Sequence, residues 1–318
     1  MTTVAAIDCG TNSVRLLVAE VAADGSVGER ARLMRIARLG EGVDRTGAFS
    51  AAALGRTFQV LDEYAEVLAR ESVEQVRFVA TSASRDVSNR DAFTAGVLAR
   101  VGVLPEVISG EVEAALSFLG AVRGLPAGAV RLPALVVDIG GGSTEFVRGS
   151  ADVDSSVSID VGCVRMTERH LHGDPPTAAE VEAARADIAG LVERADGLIG
   201  LSGARTMVGL AGSVTTVAAM ALGLDRYDAE ALHGCLVGRD QVAEATERLV
   251  AMTRAERAAL PYMHPGRVDV IAAGAMILSA AMLLGGYAQV RVSETDILDG
   301  IVYRLARLLP DNRLQPFM

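Results

Sequence analysis

The stretch Asp8-Cys-Gly-Thr-Asn-Ser13 returns 130 residues later as Asp138-Ile-Gly-Gly-Gly-Ser143, with Asp, Gly and Ser at the same offsets. Each copy follows an apolar run suited to a buried strand and precedes a second apolar strand, which indicates two related halves. A glycine-rich turn between strands presents unpaired backbone N–H groups, a natural cradle for phosphate. Two such turns facing each other across a cleft would clamp a chain of phosphates.

The composition favours a globular protein that handles phosphate locally. The 318 residues are 50% hydrophobic, enough for a large core, and the length favours two domains. The net charge of −10 argues against bulk binding of nucleic acid, so a phosphate-rich ligand must be held by local arginines and backbone amides. All 30 basic residues are arginine, which excludes a P-loop, a protein-kinase lysine and Schiff-base chemistry.

Three cysteines and one apolar segment indicate where in the cell the protein is expected. Cys9, Cys163 and Cys235 are widely spaced, which predicts a reducing cytoplasm rather than disulfides or zinc. The N-terminus does not resemble a signal peptide. Residues 270–290 carry no charge and are long enough to cross a bilayer, but the two glycines at 285 and 286 should end the helix early. A buried core helix is expected there, with a membrane span and an oligomer interface as the alternatives.

The periodicity predicts strand triplets followed by helices, twice, and hence an α/β protein of two domains with a cleft between them. Domain I is expected over 1–122, completed by a C-terminal helix at 301–318, and domain II over 123–300. Strands are expected at 13–21, 27–38, 75–81, 106–109, 155–161, 207–210 and 289–292. Helices are expected at 51–70 with Ser50 as N-cap, from about 82 to 100, and at 111–122, 165–171 and 177–199.

The second glycine turn offers both anion donors and acidic groups. Its consecutive glycines let the backbone approach an anion closely, and the hydroxyls of Ser143 and Thr144 can add donors. Asp138 at the strand end and Glu145 on the return strand can share a divalent cation of the Mg²⁺ type through oxygen ligands. The alternative is a tight glycine hairpin with a solvated glutamate.

Two stretches in the first half could also serve a phosphate site. Arg85 follows a strand and can place two N–H donors on a phosphate, although an ion pair at the surface is the alternative. Glu111 and Glu113 open a helix, where residues two apart face different sides, so at most one should line a cleft. A carboxylate in that position can act as general base for water, or simply favour the helix N-terminus.

A third glycine turn, Gly209-Leu-Ala-Gly-Ser-Val-Thr-Thr216, leads from a strand into a helix. Gly212 and Ser213 in this turn can lie near a phosphate or a nucleotide, although one such turn is weak evidence.

Five motifs then follow one another in a recognisable order. They are Asp-x-Gly-Thr-Asn-Ser at 8–13, Ala-Thr-Ser-Ala-x-Arg at 80–85, Gly-x-x-Glu-Ala at 110–114, Asp-Ile-Gly-Gly-Gly-Ser-Thr-Glu at 138–145 and Gly-Leu-Ala-Gly-Ser-x-Thr-Thr at 209–216. With them the chain resembles the exopolyphosphatase and guanosine pentaphosphate phosphatase family over essentially its whole length. That resemblance implies a duplicated, ribonuclease-H-like fold of the actin, sugar-kinase and chaperone ATPase superfamily, in its short two-domain form.

The resemblance also implies roles for individual residues. Glu113 matches the family's catalytic base, and Asp138 and Glu145 match an acidic pair linked to Mg²⁺ and the attacking water, with Asp8 as a further metal ligand. Val112 departs from the family, because many members have a glutamate there. The residues that match phosphate-binding positions are Thr11, Asn12, Ser13, Arg85, Gly140, Gly141, Gly142, Ser143, Gly212 and Ser213.

These roles favour Mg²⁺-dependent hydrolysis of terminal phosphates from inorganic polyphosphate. Removal of the 5′-phosphate of guanosine pentaphosphate is the alternative, with the tetraphosphate as a related ligand, and the same residues would serve both. Arg165, Arg169 and Arg267 are candidates to line a channel for a long chain. A sensor that binds nucleotide or polyphosphate without hydrolysis is a third reading. No nucleic-acid or membrane partner is expected, and a homodimer is.

Overall fold

The computed structural model describes residues 1–85 and 87–308, and within them two compact units. Unit 1 comprises Met1–Gly120 and the segment that begins at Ile297, and unit 2 comprises Ala121–Asp296. The strands are β1 Thr2–Cys9, β2 Ser13–Val21, β3 Val27–Ile36, β4 Gln75–Ala80, β5 Glu106–Val107, β6 Ala134–Ile139, β7 Thr144–Gly149, β8 Val153–Ile159, β9 Thr206–Leu210, β10 Leu236–Gly238 and β11 Gln289–Ser293. The helices are α1 Val43–Thr46, α2 Ala51–Arg70, α3 Arg90–Val101, α4 Gly110–Gly124, α5 Cys163–His170, α6 Ala178–Ile199, α7 Ala211–Ala221, α8 Ala229–Leu232, α9 Arg239–Ala251, α10 Arg254–Ala258, α11 Ile271–Leu284 and α12 Ile297–Leu308.

The two sheets share one topology, as the repeated turn predicted. Unit 1 has the strand order β3-β2-β1-β4-β5, in which β1–β3 form antiparallel pairs and β4 and β5 are parallel to β1. Unit 2 has the order β8-β7-β6-β9-β11-β10, with the same directions over its first five strands. The duplicated α/β fold is therefore confirmed, and in both units the glycine turn joins the central strand to its antiparallel neighbour.

Helices cover both faces of the sheet in unit 1. Leu61 and Tyr64 of α2 and Phe93 of α3 pack on one face, and α4 and α12 pack on the other. Helix α2 begins where predicted, because the Ser50 hydroxyl accepts the Ala53 N–H at 3.1 Å. In α12, a Cβ on Gly300 would lie 2.0 Å from the Leu116 carbonyl oxygen, so only glycine allows α12 to approach α4 this closely.

The uncharged segment at 270–290 forms the central helix of unit 2. Helix α11 is buried on nearly all sides and contacts α5, α6, α7 and α9, which makes it a core helix, as expected for a helix that is apolar all round. It ends at Leu284, before the two glycines. Within the described ranges, no helix is both long and apolar enough to cross a membrane.

Several boundaries differ from those predicted. The stretch from 82 to 100, predicted to be helical, contains a 3₁₀ turn at Ser82–Ser84 and then α3, which begins at Arg90. Strand β10 was missed because three residues are too few to show alternation. Helix α12 begins at Ile297 rather than 301, and residues 309–318 of the predicted C-terminal helix lie outside the described residues.

Candidate active site

The start of α5 hydrogen-bonds to the carbonyls of the second glycine turn and so fixes its conformation. The first N–H groups of α5 have no partner within the helix, and they donate instead to the carbonyls of the turn. In the described part of the chain, the N–H groups of Gly141 and Gly142 donate to no protein acceptor, so they remain available to an anion. The bonds are Cys163 N–H to Gly140 O and Val164 N–H to Gly141 O at 2.9 Å each, and Arg165 Nε to Gly142 O at 2.7 Å.

The first turn is braced in the same way by the segment that follows β3. The Thr11 carbonyl accepts the Gly40 N–H at 2.9 Å, and the Asn12 carbonyl accepts the Arg38 N–H at 2.9 Å. The Thr11 hydroxyl lies 3.0 Å from the hydroxyl of Ser82, so two of the predicted phosphate-binding segments meet in unit 1. The carbonyls of Thr11 and Asn12 are therefore engaged within the protein.

The two halves differ at the residue opposite the repeated aspartate, Asp8 in unit 1 and Asp138 in unit 2. In unit 1, Asp8 faces Arg15 across β1 and β2, and Arg15 Nη2 contacts Asp8 Oδ2 at 2.6 Å. In unit 2, the corresponding strands place Asp138 opposite Glu145. Arg15 therefore neutralises the first aspartate, whereas the second faces another carboxylate. Asp8, one of the three carboxylates predicted to bind a cation, is thus already paired with an arginine.

Glu145 is 1% exposed and lies in a network of hydroxyls. Its Oε1 accepts hydrogen bonds from Ser143 Oγ at 2.8 Å and from Ser158 Oγ at 2.6 Å. Ser158 faces Glu145 directly across β7 and β8. These two donors fix the carboxylate and lower the cost of burying it. Sequence reasoning missed Ser158, although its register on a predicted strand could have found it.

Glu113 lies in the first turn of α4 and is 8% exposed, whereas Glu111 is exposed. Only one of the two is buried, as the helical spacing required. Val112 is 37% exposed, so its replacement of the family's glutamate changes a solvent-facing position. The Ser109 hydroxyl accepts the Val112 N–H at 3.3 Å and so caps the start of the helix.

Arg85 holds the Glu113 carboxylate. Its Nη2 donates to Glu113 Oε2, while its Nε donates to the Ile108 carbonyl at 3.1 Å. A guanidinium carries five N–H donors, so further donors remain for an anion while these two bonds persist. Arg85 and Glu113 are 28 residues apart in the sequence, and the surface pair of Arg85 with its neighbouring aspartate, which was the alternative, lies outside the described residues.

The third turn is strained and packs against Arg267. Ala211 has φ +69°, a left-handed conformation that is unfavourable for alanine. A Cβ on Gly212 would lie 2.1 Å from the Arg267 guanidinium carbon, so the arginine lies directly on this turn. The Ser213 side chain faces inward, toward Gly274 and the Cys163 thiol, whose pKa is raised by burial. An anion here would meet backbone amides and Arg267 rather than the Ser213 hydroxyl.

A second polar cluster adjoins the same turn. Tyr227 Oη donates to Glu294 Oε1 at 2.6 Å and lies 3.1 Å from Thr215 Oγ1. Burial raises the pKa of Glu294, and the Tyr227 hydrogen bond and the charge of Arg267 oppose this effect. Burial likewise raises the pKa of Tyr227.

The predicted channel arginines have separate partners. Arg165 braces the second turn and also lies 3.4 Å from Asp160, and Arg169 lies 3.8 Å from Asp187. Of these three arginines, Arg267 packs on the third glycine turn, against Gly212.

The carboxylates of Asp138 and Glu145 fit a hard cation that keeps much of its hydration shell. Over residues 1–85 and 87–308, no three His, Cys, Asp or Glu side chains are grouped so that they could hold a metal ion. Mg²⁺ is commonly bound by one or two carboxylates, with waters and substrate phosphates completing the octahedron. Asp138 and Glu145, buried and opposite one another in register, match that requirement.

Glycine turns with engaged carbonyls, a buried acidic pair and a glutamate held by an arginine, on a duplicated α/β fold, are the features of a phosphohydrolase. The sequence profile of the Ppx/GppA phosphatase family matches residues 17–308. The chain belongs to this family, and the resemblance drawn from the five motifs is confirmed.

Individual relatives agree over nearly the whole chain. Exopolyphosphatase 2 of Mycobacterium tuberculosis is 50% identical, over 96% of this chain and 99% of the relative. A solved exopolyphosphatase-like protein aligns with a TM-score of 0.91 and 41% identity, over 96% of this chain and 98% of the other. The Aquifex aeolicus PPX-GPPA enzyme aligns with a TM-score of 0.79 and 31% identity, over 95% and 99%.

Proposed function

We propose that the chain is an exopolyphosphatase, which hydrolyses terminal phosphates from inorganic polyphosphate. The observation that carries this proposal is the repetition of the braced glycine turn, once in each unit, with its carbonyls tied into the protein. A glycine turn of this kind suits a phosphate group, and the chain carries two of them. The 50% identity to Exopolyphosphatase 2 supports the same substrate class.

Glu113 is the proposed general base. A buried carboxylate accepts the proton of the attacking water as the new P–O bond forms and the bond to the bridging oxygen breaks, and the shortened chain leaves with that oxygen. A positioned base of this kind contributes about 10²–10⁴-fold in rate. Arg85 fixes the orientation of the carboxylate through Nη2, and its remaining donors can bind the terminal phosphate. One arginine would thereby align the base with the group under attack.

Asp138 and Glu145 are the proposed holders of Mg²⁺, with Ser143 and Ser158 fixing Glu145. When bound, the cation would neutralise charge on the phosphate oxygens, as in other phosphoryl transfers. The amides of Gly141 and Gly142 are proposed to stabilise the same charge by hydrogen bonding. Predicted metal binding by Asp8 has weaker support, because Arg15 already neutralises this carboxylate.

The test compares phosphate release by the wild type, Glu113→Gln and Glu111→Gln. Glu111 is the matched control, since it is an exposed glutamate in the same helical turn. We expect Glu113→Gln to lose about 10²–10⁴-fold in kcat on short and long polyphosphate, and the control to keep its rate. Equal rates for the two variants would remove Glu113 from the role of base.

The substrate and the metal are tested in the same assay. Guanosine pentaphosphate is compared with polyphosphate, and release from the nucleotide alone would favour the alternative hydrolase. Binding of both substrates without release would favour a sensor. Titration of Mg²⁺ into metal-free protein should restore release, and activity that persists in chelator would contradict the proposed cation.

A further inference from the structure

Unit 2 contains a polar cavity of about 240 Å³ away from the glycine turns. It lies at the amino ends of β9 and β11, where Thr206 and Gln289 begin these strands. The glycine turns of the same unit follow the carboxyl ends of β6 and β9. Because a strand rises about 3.3 Å per residue, the six residues of β6 separate the two ends by roughly 17 Å.

Three arginines line this cavity, and no acidic residue does. They are Arg131, Arg205 and Arg291, and among the described residues none of them pairs with a carboxylate. The chain has 40 acidic and 30 basic residues, so a concave site with three guanidiniums and no acid runs against its overall charge. Such a concentration of positive charge favours an anionic ligand.

The cavity is also held in shape. Arg291 Nη1 donates to the Gly234 carbonyl at 2.5 Å, and its buried Nε has no hydrogen-bond partner in the described structure. Arg131 and Thr206 are joined by two bonds of 2.9 Å, the Arg131 N–H to Thr206 Oγ1 and the Thr206 hydroxyl to the Arg131 carbonyl. These bonds fix the guanidinium of Arg291 and the backbone of Arg131 at the cavity wall.

The size restricts the ligand. Pockets for drug-sized molecules usually measure about 300–1,000 Å³, so a cavity of 240 Å³ is small for a nucleotide. Two linked phosphates carry charge at both ends and can reach more than one guanidinium, which a single carboxylate cannot do equally well.

We propose that this cavity is a second, non-catalytic anion site, which binds short inorganic phosphate oligomers such as pyrophosphate through Arg131, Arg205 and Arg291. The site would let the protein respond to the short chains that accompany polyphosphate, independently of the groups proposed for hydrolysis.

Calorimetric titration with pyrophosphate tests the site. Arg131→Gln/Arg205→Gln removes two of the three guanidiniums, and Arg194→Gln/Arg226→Gln is the control, with the same charge change at exposed positions of unit 2. We expect the wild type and the control to bind pyrophosphate at two sites per chain. The test variant should retain one, with the other weakened about 10- to 100-fold. Identical titrations for the two double variants, or one site in the wild type, would overturn the proposal.

Phosphate release from long polyphosphate separates this proposal from the proposed function. The Arg131→Gln/Arg205→Gln variant should keep the wild-type kcat, because its changes lie at the opposite end of the sheet from the turns. The Arg131→Lys/Arg205→Lys variant keeps the charge but not the forked geometry, and we expect intermediate affinity. Full loss of pyrophosphate binding together with full loss of release, in folded protein, would refute a separate site.

Discussion

Replacement of Gly162 by alanine should disturb the second glycine turn without touching its residues. Gly162 precedes α5 with φ −121° and ψ 159°, a conformation open to any residue. A Cβ at this position would nevertheless lie 2.3 Å from the Gly141 carbonyl oxygen and 2.5 Å from the Gly142 carbonyl carbon. Both are backbone atoms, so the added methyl group cannot be accommodated by turning a side chain aside.

The size of the effect follows from that distance. Ordinary contact with a Cβ begins at 3.4 Å, so the turn or α5 must move by about 1.1 Å. A misplacement of about 1 Å in a catalytic geometry can cost about 100-fold in rate. Overpacking of this kind costs about 1–3 kcal/mol of stability, which corresponds to a fall in Tm of roughly 2–12 °C for a unit of this size.

The assay is kcat/KM for phosphate release from polyphosphate, with Tm measured on the same preparations. Gly197→Ala is the control, since it lies in α6 of the same unit and its Cβ would meet no atom within 4 Å. The control should keep its activity and gain about 0.5–1 kcal/mol, as for glycine to alanine in a helix. If Gly162→Ala loses stability but retains wild-type kcat/KM, the turn does not bind the reacting phosphates.

Three further predictions concern other groups. Arg85→Gln should reduce phosphate release at least as strongly as it reduces substrate affinity, because Glu113 loses its ion pair; a change in KM alone would contradict this. Ala211→Gly should be neutral or stabilise by up to about 1 kcal/mol, since glycine adopts φ +69° without strain; a lower Tm would contradict the strain. At pH values above the raised pKa of the Glu294 carboxyl, Glu294→Gln should have a higher Tm than the wild type. At acid pH this difference in Tm should disappear. Between the ordinary and the raised pKa the folded protein binds more protons than the unfolded one, so the wild type loses stability as pH rises. A Tm difference that is constant from pH 4 to pH 8 would refute this reasoning.

The amino-acid sequence by itself determined the duplicated fold and the positions of the turns. Local signals were sufficient for this: apolar runs before and after each glycine turn, a serine before α2, and the motif order that identified the family. The spacing of Glu111 and Glu113 predicted that at most one of them would line a cleft, and the resemblance to the family singled out Glu113, which is the buried one. Short elements that show no periodicity could not be predicted from the sequence. Strand β10 is the example, because a three-residue strand is specified by its partner β11 rather than by its own pattern.

Only the tertiary structure decided which groups meet. Arg85 and Glu113 are 28 residues apart, and Glu145 and Ser158 are 13 apart, so no helical or strand period relates them. The second turn is fixed because the first N–H groups of α5 donate to its carbonyls. The arginine cavity is lined by residues of several loops and strands that are far apart in the sequence. Side-chain pairing at such distances depends on how packed elements place their ends, and local sequence carries little information about that placement.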